Sequence, residues 1–193
     1  MNTLLSNRQH MPLTFKKATL ADRDTIFSWL QEPHIMEFWD NSQAHREDIM
    51  LFLEGKQDER TYFDGIFDYW MGFMDEKPFS FLLTSEMKAD QNDLTPLHHQ
   101  HLSKEGKTIT LDFGIGNIEF LGKKLAAPTL EAFVKFYSTI IDPKADTFII
   151  DPNENNPRAQ HVYSTAGFVH VGNYITQGGF FNAEESLLMV KKI

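Results

Sequence analysis

The segment from Thr108 to Ile141 changes its hydrophobic period midway, and this change constrains the fold more than any other feature of the chain. Its first six residues alternate between polar and apolar side chains, which predicts a strand with one buried face. Farther along, apolar residues recur at three- and four-residue steps, which predicts an amphipathic helix. The apolar residues of the helix are Leu130, Phe133, Val134, Tyr137 and Ile141, and those of the strand are Ile109, Leu111 and Phe113.

A turn that contains Gly114 and Gly116 and ends in LGKKLAA joins this strand to the helix. A strand, a turn and a helix in this order can hold a phosphate on the backbone N–H groups at the helix start, although an ordinary helix start shows the same pattern. Pro128 leaves two interpretations open: the helix begins near Ala127 with Pro128 at its first position, or its first turns are distorted. Both leave the amides of residues 122–126 without helix partners.

Composition excludes several classes of function. The 193 residues, 41% of them apolar, are enough for one globular domain with a full core. A net charge of −9 disfavours nucleic acid and anionic membranes as partners, because they favour a protein of the opposite charge. A cationic partner fits better, although many proteins are acidic only for solubility. The lack of cysteine excludes disulfides, thiolate metal sites and a cysteine nucleophile. The first residues show no long apolar run, so we expect no signal peptide and a cytoplasmic enzyme or binding domain.

The other segments predict an α/β domain with a mixed sheet over residues 13–193, after a loose lead-in at residues 1–12. The predicted strands are residues 13–18, 67–74, 79–85, 108–113, 147–150, 168–175 and 186–191, with a turn at residues 75–78 between the second and third. The predicted helices are a short one between the N-cap Thr19 and Pro33, then residues 42–54, about 127–141 and 157–166.

The polar segment from Ala89 to Lys107 shows no clear period, and we interpret it as an excursion before the organising strand. Its residues His98, His99 and His101 are potential metal ligands. No carboxylate or further histidine stands at a helpful spacing, so a solvated histidine-rich loop is the better interpretation and we predict no metal site.

The segment DPNENNPRAQHVYSTAGF carries the strongest local signals near the C-terminus. Asn156 is a good N-cap, Pro157 takes the first helical position, and Gly167 ends the helix. Before it, the apolar run at residues 147–150 suits a strand that is covered on both faces. Asp151 follows directly at the carboxyl end of that strand, where sheets of this kind place their ligands.

These late residues resemble the GNAT superfamily of acetyl-CoA-dependent N-acyltransferases, whose late motif has Asn, Arg-Ala, Tyr and Gly-Phe at this spacing. The matching residues are Asn156, Arg158, Ala159, Tyr163, Gly167 and Phe168. Within the superfamily, the chain is most similar to aminoglycoside 6'-N-acetyltransferases. WLQEPHIMEFWD resembles their Trp-Leu-x-x-Pro-His-x-x-x-Trp-Trp segment, Asp112 matches their proposed catalytic carboxylate, and Asp151 and Pro152 match the Asp-Pro after their fifth strand. Siderophore-type lysine acyltransferases share the early pattern, and the resemblance weakens over residues 41–107.

One departure from the family pattern concerns the turn that holds the coenzyme pyrophosphate. The family sequence is Arg/Gln-x-x-Gly-x-Gly/Ala, and in this register Leu121 replaces the Arg/Gln and Lys124 replaces the first Gly. Glycine there allows close approach of the backbone to phosphate. Lysine keeps the backbone amide and adds a cation near the pyrophosphate, but it favours a different backbone conformation from glycine.

The resemblance implies a mixed, mostly antiparallel sheet flanked by helices, with a splayed parallel strand pair at its centre. It implies acetyl-CoA as acetyl donor and a small cationic amine as acceptor, with the protein a monomer or homodimer. For catalysis it implies Asp112 as first candidate for the proton acceptor, Asp151 as second, and Tyr163 as proton donor. The implied coenzyme-binding residues are Phe113, Gly114, Ile115, Leu121, Gly122, Lys123, Lys124, Leu125, Ala126, Asn156, Arg158, Ala159 and Tyr163. The implied acceptor-binding residues are Glu37, Trp39, Asp40, Asp112 and Asp151.

Each of these roles has a plain structural alternative. Asp112 is also compatible with an ordinary exposed strand residue, Asp151 with a turn before proline, and Tyr163 with the core of a helix. Two functions therefore follow. The first is an active N-acetyltransferase on a polyamine-like or amino-sugar acceptor, with a siderophore-type lysine acceptor as the alternative. The second is a coenzyme-binding domain without turnover, which Lys124 motivates.

Overall fold

Seven strands form one sheet in the computed structural model, which describes residues 13–57 and 65–193. The lead-in expected at residues 1–12 lies outside the described residues. The order across the sheet is β1-β2-β3-β4-β5-β7-β6. The strands are β1 (Leu13–Lys17), β2 (Asp68–Met74), β3 (Lys77–Met87), β4 (Lys107–Ile115), β5 (Ala145–Ile150), β6 (Val169–Ile175) and β7 (Glu185–Lys192).

The sheet is mixed, as expected, and its central strands β4 and β5 form its parallel pair, while the other neighbours run antiparallel. Pairing between β4 and β5 ends at Thr110 and Ile149, although β4 continues to Ile115. The two strands therefore diverge beyond Thr110. This confirms the predicted splayed pair and opens a gap in the middle of the sheet.

Six α-helices lie in the described residues, two more than the sequence predicted. They are α1 (Arg23–Trp29), α2 (Pro33–Met36), α3 (Gln43–Leu53), α4 (Pro96–His101), α5 (Ala126–Phe136) and α6 (Pro157–Thr165). The additional helices are α2 and α4. Both begin with proline at the first helical position, and α4 has Thr95 as its N-cap. The predicted excursion at residues 89–107 thus contains a helix, and its short length hides any period.

The helix α5 includes Pro128 as its third residue, between the two alternatives that the sequence left open. A proline fits there because the first N–H groups of a helix have no intrahelical partner. The amide of Thr129, the next residue, already donates to the carbonyl of Leu125 at 2.9 Å. The predicted helix to Ile141 is wrong over its last turn, because residues Tyr137–Ile141 form a π-helix.

The turn between β2 and β3 is shorter than predicted. Asp75 and Glu76 have positive φ angles of 47° and 64°, while Lys77 and Pro78 already belong to β3. Two successive left-handed residues make the tight hairpin turn whose twist matches the strands. Glutamate is an uncommon residue in that conformation, so the sequence suggested a longer turn.

Helices cover both faces of the sheet and so fix which side chains face the site. Ile109 and Leu111 of β4 pack with Leu130 and Phe133 of α5 in one core. The opposite face packs against α1 and α3, in a core that includes Leu83. Because Asp112 is the direct partner of Leu83 in the β3–β4 register, its side chain lies on this second face, as the alternation predicted.

Candidate functional site

A cavity of about 710 Å³ opens where β4 and β5 diverge. Both carboxylates that the sequence singled out, Asp112 and Asp151, line it. The two residues are 39 positions apart in the sequence. The parallel pairing of β4 and β5 brings the carboxyl ends of both strands to the same edge of the sheet. The structure therefore places the first and the second candidate for the proton acceptor in the wall of one cavity.

Asp112 is half-buried in the wall of this cavity. Burial, and in second place the charge of Asp151, raises the pKa of Asp112 to about 7. A carboxyl with this pKa exchanges its proton near neutral pH, which suits a proton acceptor. The alternative of an ordinary exposed strand residue does not describe Asp112.

Asp151 follows β5 directly, and the hydroxyl of Tyr174 donates a hydrogen bond to its Oδ2. Burial raises the pKa of Asp151 to about 6, and the hydrogen bond from Tyr174 opposes that rise. The charge of Asp93 adds to the rise. Burial therefore raises the pKa of both carboxyls above the usual range, and their titrations are coupled.

Tyr163 reaches the same cavity from α6, and only 9% of it is exposed. Asn156 caps this helix, since its side-chain oxygen accepts a hydrogen bond from the amide of Ala159 at 3.0 Å. Burial, then the charges of Asp112 and Asp151, raises the pKa of Tyr163 above its usual range. The phenol therefore stays protonated at neutral pH and has a proton to give.

The turn before α5 contributes a second part of the cavity wall. Gly122 and Lys124 have positive φ angles of 73° and 58°. Lys124 thus takes a backbone conformation that glycine adopts without cost, and its side chain is exposed. Lys123 does not line the cavity; its Nζ lies 5.1 Å from the ring centroid of Phe120. The other implied residues of this turn line the cavity, namely Leu121, Gly122, Lys124, Leu125 and Ala126.

The implied coenzyme residues outside this turn lie along β4 and at the start of α6. Those that line the cavity are Phe113, Gly114, Ile115, Asn156, Arg158 and Ala159. The carbonyl of Ile115 lies 2.8 Å from Nε2 of His34, a residue of α2 that the sequence analysis did not assign to the site.

The implied acceptor-binding residues from the early segment differ in where they lie. Trp39 lines the cavity and packs against Phe81 with ring centroids 4.5 Å apart. Asp40 lines it too, but one of its carboxylate oxygens accepts a hydrogen bond from the amide of Ser42 at 2.7 Å. Glu37 lies outside, in an adjacent groove that it shares with Glu154, Glu184 and Glu185.

Several residues of the cavity wall were missed by the sequence analysis. Among them are Ser85, Gln91, Asp93, His98 and Tyr174. His98 belongs to α4 and is buried, so the prediction of a solvated loop is wrong for this residue. Its ring meets the ring of Tyr174 edge-on, with centroids 4.5 Å apart. The only sequence signal for this wall was the pair Thr95-Pro96, which marks the start of a helix.

Residues 13–57 and 65–193 contain neither a metal-binding group nor a membrane-spanning helix. No group of three side chains there is arranged to hold a metal ion. Nor does that part of the chain contain a helix that is long and apolar enough to cross a membrane.

Comparison with solved structures finds the same fold in acetyltransferases. An aminoglycoside N(6')-acetyltransferase from Legionella pneumophila aligns with a TM-score of 0.72 at 23% identity, over 95% of this chain and 93% of that one. AAC(6')-Ib in complex with coenzyme A and kanamycin aligns with a TM-score of 0.69 at 19% identity, over 94% of this chain and 95% of that one. A spermidine N-acetyltransferase from Vibrio cholerae, in complex with coenzyme A and spermine, aligns with a TM-score of 0.66 at 17% identity, over 93% of this chain and 95% of that one.

The sequence itself was compared with curated proteins and with family models. The search of curated proteins found no match. The family model described as acetyltransferase (GNAT) domain matches residues 18–175, which is more than three quarters of the chain. This chain therefore belongs to the GNAT acetyltransferase family and is an N-acetyltransferase of the class that takes its acetyl group from acetyl-CoA.

Proposed function

We propose that this enzyme transfers the acetyl group to a primary amine of a small cationic acceptor, and that the acceptor is an amino sugar of the aminoglycoside type. The observation that carries the proposal is the carboxylate pair Asp112 and Asp151, which faces the buried phenol of Tyr163 across one cavity. These three groups supply a proton acceptor, a negative charge for a cationic substrate and a proton donor.

In this mechanism Asp112 makes the amine nucleophilic. A primary amine has a pKa of about 10, so only about one molecule in a thousand is neutral at pH 7. Asp112, with its pKa of about 7, accepts the proton of the bound ammonium group. The neutral nitrogen then attacks the acetyl carbonyl carbon.

The carbon–nitrogen bond forms and the carbon–sulfur bond breaks in the step that follows. Tyr163 gives its proton to the departing sulfur and recovers one from the nitrogen, which sheds its second proton on forming the amide. Asp112 releases its proton to solvent. Of the two protons that the ammonium group loses, one therefore ends on the thiol and one in water.

The residues toward the coenzyme fit acetyl-CoA. The first N–H groups of α5 lack helix partners, and the positive end of the helix dipole favours phosphate there. Lys124 keeps the left-handed turn and brings an ammonium group to the same place. Beyond Thr110 the edge of β4 that faces β5 is free of strand pairing, so it can pair with an extended ligand arm. We therefore assign the phosphates to residues 121–126 and the arm to residues 112–115.

The acceptor end favours a cation with a ring. Asp112, Asp151 and Asp93 give this end of the cavity its negative charge, and Trp39 offers an aromatic face. Ser85 has a buried hydroxyl without a hydrogen-bond partner in the described residues, and it lies on the same face two strand positions from Leu83, the partner of Asp112. A polyhydroxylated amine could satisfy that hydroxyl. The ammonium groups of a plain alkyl polyamine could donate to that hydroxyl but could not accept from it.

A lysine-type acceptor remains the second candidate because the early segment resembles siderophore-type acyltransferases. Such an acceptor carries a carboxylate, which the carboxylates of this cavity would repel. The cations that line the cavity, Lys124 and Arg158, belong to the implied coenzyme-binding residues. This arrangement favours the amino sugar over the lysine type.

The experiment is a thiol-release assay with acetyl-CoA and a panel of amines: a kanamycin-like aminoglycoside, spermidine, lysine and hydroxylysine. We expect turnover with the aminoglycoside and its loss in Asp112→Asn. A matched control is Asp68→Asn, the same change on β2 at a residue that pairs with Lys17 at 2.9 Å. Turnover with hydroxylysine alone would replace the proposed acceptor by the lysine type. Turnover with none would contradict the proposal.

A further inference from the structure

We infer that Tyr174 is a positioning residue: its hydroxyl holds Asp151 as the anion of the carboxylate pair, and this leaves Asp112 as the proton acceptor. The inference rests on the proposed function for its kinetic meaning. Its structural content, the division of one proton between two carboxyls, can be measured without any turnover.

The position of Tyr174 follows from strand pairing at the far side of the sheet. Tyr174 of β6 is the partner of Ser186 in β7, and Ser186 also bridges to Asn153, two residues after Asp151. This row of backbone contacts brings the phenol to the carboxyl end of β5. From there its hydroxyl donates to Oδ2 of Asp151.

The helix α4 holds the ring of Tyr174 in place. His98 packs edge-on against this ring, and Nδ1 of His98 lies 2.8 Å from the hydroxyl of Thr95, the N-cap of α4. Next to it, Leu97 lies so close to Gly172 that a Cβ there would be 3.0 Å from Leu97 Cδ2. The segment that the sequence analysis interpreted as a polar excursion therefore packs against β6 behind the site.

The groups that face the pair come from every surrounding element. Asp93 precedes α4 and adds negative charge to Asp151, while His98 is neutral at pH 7 because burial lowers its pKa to about 4. Tyr163 stays protonated, as described above. Two hydrogen bonds favour an ionised Asp151, one from the backbone of Asp151 itself and one from a side chain, and the side-chain donor is the hydroxyl of Tyr174.

The consequence is an order of ionisation. A hydrogen bond to a carboxylate favours the charged form, so Asp151 loses its proton before Asp112 does. The charge on Asp151 then makes Asp112 hold its proton more tightly and become a stronger base. Without the Tyr174 hydroxyl, Asp151 would keep its proton to higher pH, and Asp112 beside a neutral neighbour would ionise at lower pH.

The test is Tyr174→Phe, which removes the hydroxyl and keeps the ring against His98. The first readout is the NMR signal of the carboxyl carbons of Asp112 and Asp151, recorded as a function of pH in the protein without substrates. We expect the midpoint of Asp151 to rise by about one pH unit or more and that of Asp112 to fall. The second readout is kcat/KM against pH, whose acid limb should move to lower pH.

A matched control is Tyr69→Phe. Tyr69 is buried and donates to Oδ2 of Asp48 at 2.7 Å, so this variant also loses a buried tyrosine–carboxylate hydrogen bond, but outside the cavity wall. It should leave both midpoints and the acid limb where they are. A loss of activity that comes from lower stability alone would show equally in this variant.

The outcomes separate the inference from the proposed function. Unmoved carboxyl midpoints in Tyr174→Phe would overturn the inference whatever the enzyme acetylates. An acid limb that moves to higher pH would make Asp151 the proton acceptor and overturn the assignment of Asp112. If the midpoints move as expected while the wild-type enzyme acetylates no amine, the Tyr174 contact stands and the proposed acceptor falls.

Discussion

The replacement Asp112→Asn tests the central step of the mechanism, because it keeps the size of the side chain and removes the proton acceptor. With its pKa of about 7, the carboxyl of Asp112 is ionised in about half of the molecules at pH 7. The variant must instead wait for an amine that is already neutral, a fraction of about 10⁻³ at that pH. We expect kcat/KM at pH 7 to fall by about 10²–10³-fold, within the range of general-base catalysis.

The pH dependence of this loss identifies its cause. The neutral fraction of the amine grows about tenfold with each pH unit below its pKa, so the loss should shrink to about tenfold at pH 9. The assay is thiol release between pH 6 and 9.5, with the affinity for acetyl-CoA measured separately and expected to stay unchanged. An equal loss at all pH values would refute the reasoning and make Asp112 a residue that only positions the acceptor. Unchanged turnover would transfer the role to Asp151.

Three more predictions follow from the same site. Acetyl-CoA at a hundred times its Kd should stabilise the fold by about 2.7 kcal/mol and raise Tm by about 5–10 °C in a thermal-shift assay; no shift at millimolar coenzyme would contradict the assignment of residues 121–126. The KM of a polycationic acceptor should rise between low and high ionic strength, whereas that of a monoamine should change less, because salt screens the attraction of the acidic cavity. Asp112 has a higher pKa in the folded chain, about 7 against 3.8, so its contribution to the free energy of unfolding is lost as pH rises from about 4 to about 7. Urea titrations should therefore show that Asp112→Asn becomes more stable relative to wild type as pH rises through that range. A difference in the free energy of unfolding that stays constant with pH would show that the fold does not raise the pKa of Asp112.

Local signals made part of this structure predictable from sequence. The helix α6 lies within one residue of its prediction because Asn156, Pro157 and Gly167 act on the backbone next to them. The strand β4 was found because its alternation spans the whole segment. Asp112 was expected because it matches the family pattern, and Asp151 because sheets of this kind place ligands at the carboxyl ends of parallel strands.

The parts that were missed depend on contacts between distant segments. Nothing near Tyr174 in the sequence indicates that β6 reaches Asp151 through β7, since strand order is decided by the whole sheet. The helix α4 has only six residues, too few for a period to show, and its buried His98 looks polar in the sequence. Glu37 was expected at the acceptor because of its neighbours in the chain, yet the turn of α2 directs it into the adjacent groove.

The divergence of β4 from β5 has a consequence for how such a protein can change over time. An edge formed by main-chain N–H and C=O groups is the same whatever side chains the strand carries, so a ligand laid along it is recognised by groups that substitution does not remove. Among residues 111–115 the side chain of Ile115 is then free to vary. Leu111 and Phe113 pack in the core, Asp112 carries charge, and a Cβ at Gly114 would lie 3.0 Å from Ile35 Cδ1. The fold itself is shared with solved acetyltransferases at 17–23% identity.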